Sequence, residues 1–343
     1  MAECSFIDYR LQNCGVVVLT LDNPPLNLTT LVTLDKLLSA CRDIAGDERV
    51  RAVVVTGSGS KAFCAGSDIS EFAHVRDDVV SRKLAHENTA FTALEELPMP
   101  VIAALNGVAL GGGAEMALAC DIRIMDETAR IGFPEVKLGI FPGSGGIFRL
   151  PRLVGPAKAY ELLYTGELIE AHEAHRIGLV NRLAPAGQAL PAALALAESL
   201  ASRPALALSL IRAGVRDSLN QTAQEAISRT LADSHRVFTG PDIEEGINAF
   251  FAKRAPVFTA GRGLSSRREK VVSFGQSISK QYTRLGGHDD QQTDSIRRNC
   301  IRSDGNPSAA RRAHSRGEAL SLRIRPAEAH RIRHPRRYLC KQA

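Results

Sequence analysis

The stretch LNGVALGGGAEMALACD (residues 105–121) places three consecutive glycines directly before a glutamate in an otherwise apolar run. Glycine raises the entropic cost of ordering a regular element, and burial of an unpaired carboxylate costs still more free energy. The combination predicts a strand that turns tightly into a helix, with Glu115 as the first ionisable group of that helix. These residues alone fit both a purely structural turn and a turn that binds a ligand.

Short β-branched runs alternate with helical patterns around this turn. The strand-like runs are GVVVLTLD (15–22), RAVVVTG (51–57), VIAALNG (101–107) and DIRIMD (121–126). Two runs with apolar residues at helical spacing lie between them, TLVTLDKLLSACRDI (30–44) and LAHENTAFTALEEL (84–97). This alternation predicts an α/β core with largely parallel strands.

Three regions follow from the patterns along the chain. We predict an α/β core with the ligand site (1–200), a helical C-terminal subdomain that supports oligomer contacts (201–261) and a basic extension (262–343). The extension holds 19 Lys and Arg against 7 Asp and Glu, whereas residues 1–261 hold 24 against 30. Its lack of apolar periodicity predicts disorder. Its charge fits electrostatic contact with nucleic acid, and its composition also fits an extension without a function.

Composition and cysteine usage exclude several classes of protein. The 343 residues are 44% hydrophobic, which is enough for a substantial core. Seven scattered cysteines without a CxxC pair predict free thiols in a reducing compartment and no metal site. No signal peptide is indicated by MAECSFIDYR (1–10), and no uncharged apolar run approaches the roughly 20 residues that cross a bilayer. We therefore expect a cytoplasmic protein without a membrane segment.

Three stretches carry the predicted chemistry: GSGSKAFCAGSDISEF (57–72), the glycine triplet, and GFPEVKLGIFPGSGG (132–146). The first N–H groups of the helix after the triplet lack intrahelical partners and lie at the positive end of its dipole. With an N–H from the AGSD loop they make a candidate two-amide cradle for an oxyanion. Desolvation is expected to raise the pKa of Glu115, and Glu135 is a candidate second carboxylate. Cys64 is interpreted as a packing residue.

These motifs resemble the enoyl-CoA hydratase/isomerase (crotonase) superfamily, and most closely its bacterial enoyl-CoA hydratases. The resemblance covers KAFCAGSDISEF, NGVALGGGAEMALACD, GFPEVKLGIFPGSGG, RLPRLVGPAKAYELLYTGELIEAHEAHRIGLVNRL and AFFAKRAPVF, in family order. It implies a crotonase-like spiral of ββα units followed by a helical C-terminal subdomain. It also implies homotrimers that pair into homohexamers and an acyl-CoA substrate. No separate cofactor is expected, because CoA enters as part of that substrate.

Carried over by position, the resemblance implies roles for individual residues. The main-chain amides of Ser67 and Gly112 would bind the thioester oxygen. Glu115 would assist the water, and Glu135 would serve the α-carbon. The implied substrate-binding residues are Ala65, Gly66, Asp68, Ile69 and Ser70 along the CoA moiety, Gly143 near the water, and Lys253 at a CoA phosphate.

Both glutamates bear on the choice of reaction within the family. Hydration needs one group for the water and one for the α-proton, so Glu115 favours a hydratase over a double-bond isomerase. Phe133 stands where a glutamine is common in the family, and Ser70 replaces a frequent lysine. Phe133, with Ile147 and Phe148, is expected to make the region near the acyl group more apolar. A related dehydratase stays open, as does a nucleic-acid-binding protein that acts through the extension.

Overall fold

Two β-sheets carry the strands that the sequence predicts. The computed structural model describes residues 5–75, 78–259 and 261, and the predicted basic extension lies outside the described residues. The described residues all belong to the first of two units of the chain, residues 1–269. The larger sheet has the order β1-β2-β3-β5-β7-β10, and the smaller sheet has the order β4-β6-β8-β9.

The strands are short, and four of the six strands in the larger sheet match the predicted runs closely, whereas its strands at Phe6–Leu11 and Arg182–Ala184 were not predicted. They are β1 (Phe6–Leu11), β2 (Val16–Asp22), β3 (Ala52–Gly57), β4 (Ala62–Cys64), β5 (Val101–Leu105), β6 (Val108–Leu110), β7 (Ile122–Asp126), β8 (Arg130–Gly132), β9 (Leu168–Glu170) and β10 (Arg182–Ala184). Only the β1–β2 and β8–β9 pairs are antiparallel. The other pairs are parallel, as the strand–helix alternation predicts.

The connections between the sheets form a spiral of ββα units. Strands β3, β5 and β7 join the larger sheet, and each is followed directly by β4, β6 or β8 of the smaller sheet. After β4 and β6, helices lead the chain back to the larger sheet, whereas after β8 the chain passes through helices to β9 of the smaller sheet before it reaches β10. The carboxyl ends of β4, β6 and β8 therefore lie at one edge of the smaller sheet, because parallel strands in register end together. This edge is where the three predicted chemical stretches begin.

Helices occupy most of the other described residues. They are α1 (Leu31–Gly46), α2 (Ile69–His74), α3 (Ala85–Glu95), α4 (Gly112–Leu118), α5 (Gly146–Val154), α6 (Pro156–Thr165), α7 (Ala171–Arg176), α8 (Ala189–Ala201), α9 (Ala205–Ser218), α10 (Ala223–Phe238) and α11 (Pro241–Phe251). A π-helical turn (Val80–Leu84) precedes α3, and a 3₁₀ helix (Pro134–Leu138) follows β8.

The larger sheet is buried on both faces, which explains why its strands read as continuous apolar runs. On one face, α1 and α3 close the main core through residues such as Leu34, Leu37 and Phe91. On the other face, Ala189, Ala193 and Ala197 of α8 pack against the outward-facing residues of β2, β3, β5 and β7. Their spacing of four places small side chains on one side of α8, so the helix can approach the sheet closely.

The described helices and side chains bear on membrane insertion and on metal binding. None of their helices alone is long and apolar enough to cross a bilayer, although α8 and α9 together, bent by 113°, pass that test by length and composition. Across the same residues there is no group of three or more His, Cys, Asp or Glu that could hold a metal ion. Cys41, Cys64 and Cys120 are free and buried, and burial raises the pKa of each thiol to about 12.

Candidate active site

The glycine triplet forms the turn from β6 into α4, and two of its members require glycine. Gly111 has a φ of +50°, in the region that glycine adopts without a Cβ penalty. A Cβ on Gly113 would lie 2.1 Å from the main-chain oxygen of Cys64, so this backbone packs directly on β4. The sequence therefore folds here into a tight strand–helix turn that touches the neighbouring strand of the smaller sheet.

Ser67 and Gly112 present main-chain N–H groups to a common space. Thr29 forms a parallel bridge with Ser67, in which Thr29 N donates to Gly66 O and Asp68 N donates to Thr29 O. Such a bridge uses the groups on either side of Ser67, so the Ser67 N–H points away from Thr29. Gly112 opens α4, where the first N–H groups have no intrahelical acceptor. A Cβ on Gly112 would lie 3.7 Å from Ser67 N, so the structure brings the two predicted amides together.

Glu115 lies in the first turn of α4 and is only 2% exposed. Its Oε1 accepts hydrogen bonds from the main-chain N–H groups of Ser144 and Gly146, both at 2.8 Å. Burial raises the pKa of Glu115 to about 8, with the charges of Glu135 and Glu87 acting in the same direction and the two amides opposing them. The carboxyl group is therefore held by one oxygen and can exchange a proton near neutral pH.

Glu135 comes from the 3₁₀ helix after β8, and its carboxylate faces the glycine triplet. Its Oε1 would lie 3.1 Å from a Cβ on Gly111. Both of its carboxylate oxygens are buried without a hydrogen-bond partner among the described residues. Desolvation is the main reason that the pKa of Glu135 rises to about 7, opposed by its own main-chain N–H and reinforced by the charge of Glu87. Buried, unpaired carboxylate oxygens mark a group that is free to act on a ligand.

A third carboxylate, Glu87 on α3, lies beside this pair, and the sequence analysis did not identify it. Glu87 is 1% exposed. Its Oε1 accepts a hydrogen bond from the Ser67 hydroxyl and its Oε2 accepts one from the Ser144 hydroxyl at 2.5 Å. Glu87 therefore contacts the residue that presents the first amide and the residue whose N–H holds Glu115.

A buried lysine lies between Glu87 and the start of α1. Lys83 is fully buried, and its Nζ donates to Thr29 O at 2.9 Å and to Glu71 Oε2 at 2.7 Å. The same Nζ is 3.8 Å from Glu87 Oε1. Glu71 in turn accepts from the N–H of Leu31 at 3.2 Å. Lys83 thus supplies a positive charge to two carboxylates and supports Thr29, which orients the Ser67 amide.

The remaining predicted binding residues differ in their distance from this centre. Ala65 and Gly66 lead into Ser67, and Asp68 caps α2 by accepting from Ser70 N at 2.9 Å. Ile69 is exposed on that helix. Together these five residues place the start of α2 beside the two amides, where the resemblance puts the CoA moiety.

Gly143 and Lys253 are placed differently. Gly143 precedes Ser144, and its main-chain oxygen accepts from Asn88 Nδ2 at 2.8 Å. Lys253 lies on the exposed turn after α11 with a φ of +51°. Within the described part of the chain no hydrogen bond or ion pair joins the Lys253 side chain to the site. The structure therefore brings Gly143 to the carboxylates and leaves Lys253 apart from them.

The apolar surroundings of the site come partly from residues other than those expected. Phe133 is fully buried in the main core, whereas Ile147 and Phe148 are about half exposed. The Phe148 ring lies 4.7 Å from the Arg149 guanidinium. Beside Gly143, the apolar atoms nearest to the glycine belong to Leu84 and Phe141. These two side chains, which no sequence motif marks, line the region next to Gly143.

Comparison with known proteins places the chain in a family. The enoyl-CoA hydratase/isomerase family profile matches residues 12–261. The chain belongs to this family. It is similar to crotonyl-CoA hydratase of Syntrophomonas wolfei, with 40% identity over 233 residues, covering 68% of this chain and 88% of the relative. It is similar to short-chain-enoyl-CoA hydratase of Clostridium acetobutylicum, with 39% identity over 244 residues, or 70% of this chain and 92% of the relative.

The fold agrees with the family assignment. The crystal structure of an enoyl-CoA hydratase from Bacillus anthracis superposes with a TM-score of 0.72 at 36% identity, covering 74% of this chain and 99% of that one. The predicted crotonase-like spiral with C-terminal helices is therefore confirmed. The chain is an enzyme of the enoyl-CoA hydratase/isomerase family.

Proposed function

We propose that this protein is an enoyl-CoA hydratase, which adds water reversibly and syn across the double bond of a trans-2-enoyl-CoA thioester. One observation carries the proposal. The main-chain N–H groups of Ser67 and Gly112 converge beside two buried carboxyl groups, Glu115 and Glu135, whose pKa values lie near neutrality. An oxyanion cradle with two proton-transfer groups suits chemistry at the carbons next to a thioester carbonyl.

The reaction follows from these positions. The thioester oxygen accepts hydrogen bonds from Ser67 N and Gly112 N. Glu115 takes a proton from water as the water oxygen bonds to C3, and the C2–C3 electron pair moves to form an enolate whose charge lies on the thioester oxygen. Glu135 then gives its proton to C2 as the enolate collapses. Afterwards Glu115 passes its proton to solvent and Glu135 regains one, so the net change is the addition of one water molecule.

The electrostatics of the carboxyl pair suit this proton balance. Glu115 has a pKa of about 8 and Glu135 a pKa of about 7, and the charge of Glu135 contributes to raising the former. Two such interacting groups titrate as a pair and hold one proton between them near neutral pH. The proposed reaction uses the arrangement in which Glu135 holds this proton and Glu115 is ionised, whereas in the free protein the higher pKa of Glu115 favours the reverse arrangement. The proton therefore has to pass to Glu135 before water is activated.

An isomerase is the competing function, and one contact disfavours it. Moving a double bond requires a single group that removes and returns a proton. Glu115 is nevertheless held by two main-chain amides at 2.8 Å within a buried pocket. Such dedicated support for a second carboxylate favours a reaction that also activates water.

We also propose that the protein acts on acyl-CoA as a homotrimer or homohexamer. The support comes from the C-terminal helices, which expose large apolar side chains. These include Val215 on α9, Leu231 on α10 and Phe250 on α11, exposed by 66%, 66% and 76%. Exposed apolar surface of this kind marks an interaction site. Lys253, which follows α11, would then be available to a CoA phosphate in the assembly.

The proposal is tested with purified protein and trans-2-enoyl-CoA thioesters from short to long chain. The expected result is loss of the absorbance of the conjugated enoyl thioester, with formation of the 3-hydroxyacyl product. Glu115→Gln and Glu135→Gln should each abolish turnover, while Glu161→Gln, on the surface of α6, should not. Turnover of 3-enoyl-CoA to 2-enoyl-CoA without hydration would instead identify an isomerase.

A further inference from the structure

Glu87 connects the two halves of the candidate site through its two carboxylate oxygens. Oε1 accepts from the Ser67 hydroxyl, and the Thr29 hydroxyl lies 3.4 Å from the same oxygen. Oε2 accepts from the Ser144 hydroxyl at 2.5 Å. An ionised carboxylate only accepts hydrogen bonds, so one side chain can satisfy both serine hydroxyls as donors.

Each serine also serves the site through its main chain. Ser67 N is one of the two amides that converge beside α4, and Ser144 N donates to Glu115 Oε1 at 2.8 Å. The two serines lie on separate loops, one after β4 and the other before α5. Within the described residues, Glu87 is the one carboxylate that receives a hydrogen bond from both.

We propose that Glu87 is a positioning residue for the hydration reaction. Its side chain fixes the loop that contains Ser67 against the loop that contains Ser144, and its charge acts on the two catalytic carboxyl groups. This inference rests on the proposed function. Glu87 does not enter the bond-making steps. It acts through Ser67, Ser144, Glu115 and Glu135.

The negative charge of Glu87 affects the pKa values of several buried groups in the site. It contributes to raising the pKa of Glu115, of Glu135 and of the Cys64 thiol. Lys83 opposes it from 3.8 Å, but the same ammonium group is also paired with Glu71 at 2.7 Å. These are the titratable groups that face Glu87 from α2, β4, α4, the 3₁₀ helix and its own helical segment. Two carboxylates thus share one buried cation, and a net negative charge is left beside the catalytic pair.

The position of Glu87 also explains why the length of its side chain matters for holding both serines. Its Oε1 would lie 3.9 Å from a Cβ on Gly112, and the Ser67 hydroxyl would lie 3.2 Å from that point. The hydroxyl that borders the cradle is therefore turned toward Glu87 and does not occupy the space between the two amides. A shorter acid could not hold both serines at once.

The decisive experiment compares the pH dependence of hydration in wild type and Glu87→Gln. Glutamine keeps the length and removes the charge, so the pKa values of Glu115 and Glu135 should fall and both limbs of the kcat/KM profile should move to lower pH. The kcat should also fall by about 10- to 10²-fold, because the glutamine amide has one acceptor oxygen where both serine hydroxyls donate, so one of the two loops loses its anchor. Asp35→Asn is the matched control, because it removes an exposed carboxylate that pairs with His86, the residue next to Glu87. Its profile should match wild type.

Two further variants separate the effect of the length of the Glu87 side chain from the effect of its charge. Glu87→Asp keeps the charge and shortens the side chain, so kcat should fall while both limbs stay in place. Ser144→Ala removes only the hydroxyl that donates to Glu87 and keeps the N–H that donates to Glu115. It should behave like Glu87→Asp. Thermal unfolding of each variant shows whether the protein is still folded at the assay temperature.

The outcomes distinguish this inference from the proposed function. If wild type hydrates enoyl-CoA and Glu87→Gln shows unchanged limbs, with at most a loss of rate that is uniform across pH, the inference is overturned. If wild type does not hydrate any enoyl-CoA, the proposed function fails. The charge coupling can then still be measured by a ¹³C NMR titration of glutamate carboxyls in the free protein, where Glu87→Gln should lower the pKa of Glu115 and Glu135. Unchanged titrations would overturn the inference in that case too.

Discussion

The main-chain nitrogen of Ser67 lies 3.7 Å from the point where a Cβ on Gly112 would sit. The same point is 3.2 Å from the Ser67 hydroxyl. A Cβ at residue 112 would therefore lie against Ser67, and glycine leaves this space beside the Ser67 amide open. An oxygen that enters this space can accept from both N–H groups, so the absence of a side chain at residue 112 is itself part of the proposed cradle.

Gly112→Ala should block the cradle with little loss of stability. The added methyl would lie in the space where the oxyanion is proposed to bind, and its tightest contact is the Ser67 hydroxyl at 3.2 Å, which a small shift that keeps the hydrogen bond to Glu87 relieves. We expect kcat to fall by about 10²- to 10³-fold, the usual cost of one lost oxyanion donor. Steady-state hydration kinetics and thermal unfolding measure the two effects.

The neighbouring glycines supply the controls for this prediction. Gly113→Ala would place its Cβ 2.1 Å from Cys64 O and should prevent normal folding, whereas Gly46→Ala on α1 meets open space and should keep full activity. Full activity in Gly112→Ala would mean that no ligand oxygen binds between these amides.

The fold and the centre of the candidate site were predicted from different features of the sequence. The larger sheet is buried on both faces, so its strands stand out as β-branched runs such as β3, and their predicted bounds are nearly correct. Ser67 lies in a small-residue loop, and Gly112 and Glu115 lie at the start of α4, where a glycine triplet precedes a carboxylate in an apolar run. The family resemblance then gave these residues roles that spacing could not.

The sequence did not predict the roles of Lys83 and Glu87, because their neighbours along the chain resemble those of a solvated helix face. Lys83 and Glu87 are four apart, as in an ordinary surface ion pair, and polar neighbours surround them. One signal was present. Glu87 precedes Ala90, Phe91 and Leu94 by three, four and seven positions, which places it on the buried stripe of α3. A carboxylate on such a stripe requires partners, but the sequence cannot show that two serines from distant loops provide them.

Glu115 should make the folded protein less stable as the pH rises. Its pKa is about 8 in the folded state against an ordinary value of 4.5, so its contribution to stability is complete below about pH 4.5 and is lost as the pH rises through about 8. Glu115→Gln cannot ionise. We therefore expect its free energy of unfolding to be close to that of wild type at pH 5 and higher by roughly 2–4 kcal/mol at pH 9.

Urea unfolding across this pH range tests the sign of the effect. Glu161→Gln, at a surface carboxylate, should follow the wild-type curve throughout. If Glu115→Gln lost stability relative to wild type between pH 5 and pH 9, the folded protein would stabilise the charged form of Glu115, and the raised pKa of this carboxyl group would be wrong.

Lys83→Met should destabilise the fold by removing a buried cation. The Lys83 ammonium contacts Thr29 O and Glu71 within 3 Å and has no access to solvent. Leaving Glu71 without this partner should cost about 3 kcal/mol of unfolding free energy. The double variant Lys83→Met/Glu71→Gln should recover part of that loss, because the orphaned charge is removed. Equal destabilisation of the single and double variants would show that the Glu71 pair does not set the cost, which would then come from the contacts of Lys83 with Thr29 O and Glu87 or from its packing.

The exposed apolar side chains of the C-terminal helices should hold the proposed assembly together. Val215, Leu231 and Phe250 lie on three successive helices, each more than 60% exposed. Burial of such side chains contributes about 1.5–3 kcal/mol each, so Leu231→Glu or Phe250→Glu should shift sedimentation toward the monomer. Leu11→Glu, at the end of β1, changes an exposed leucine outside these helices and should leave the sedimentation profile unchanged. A wild-type protein that sediments as a monomer at all concentrations would contradict the assembly, because these side chains would then remain in water without a partner copy.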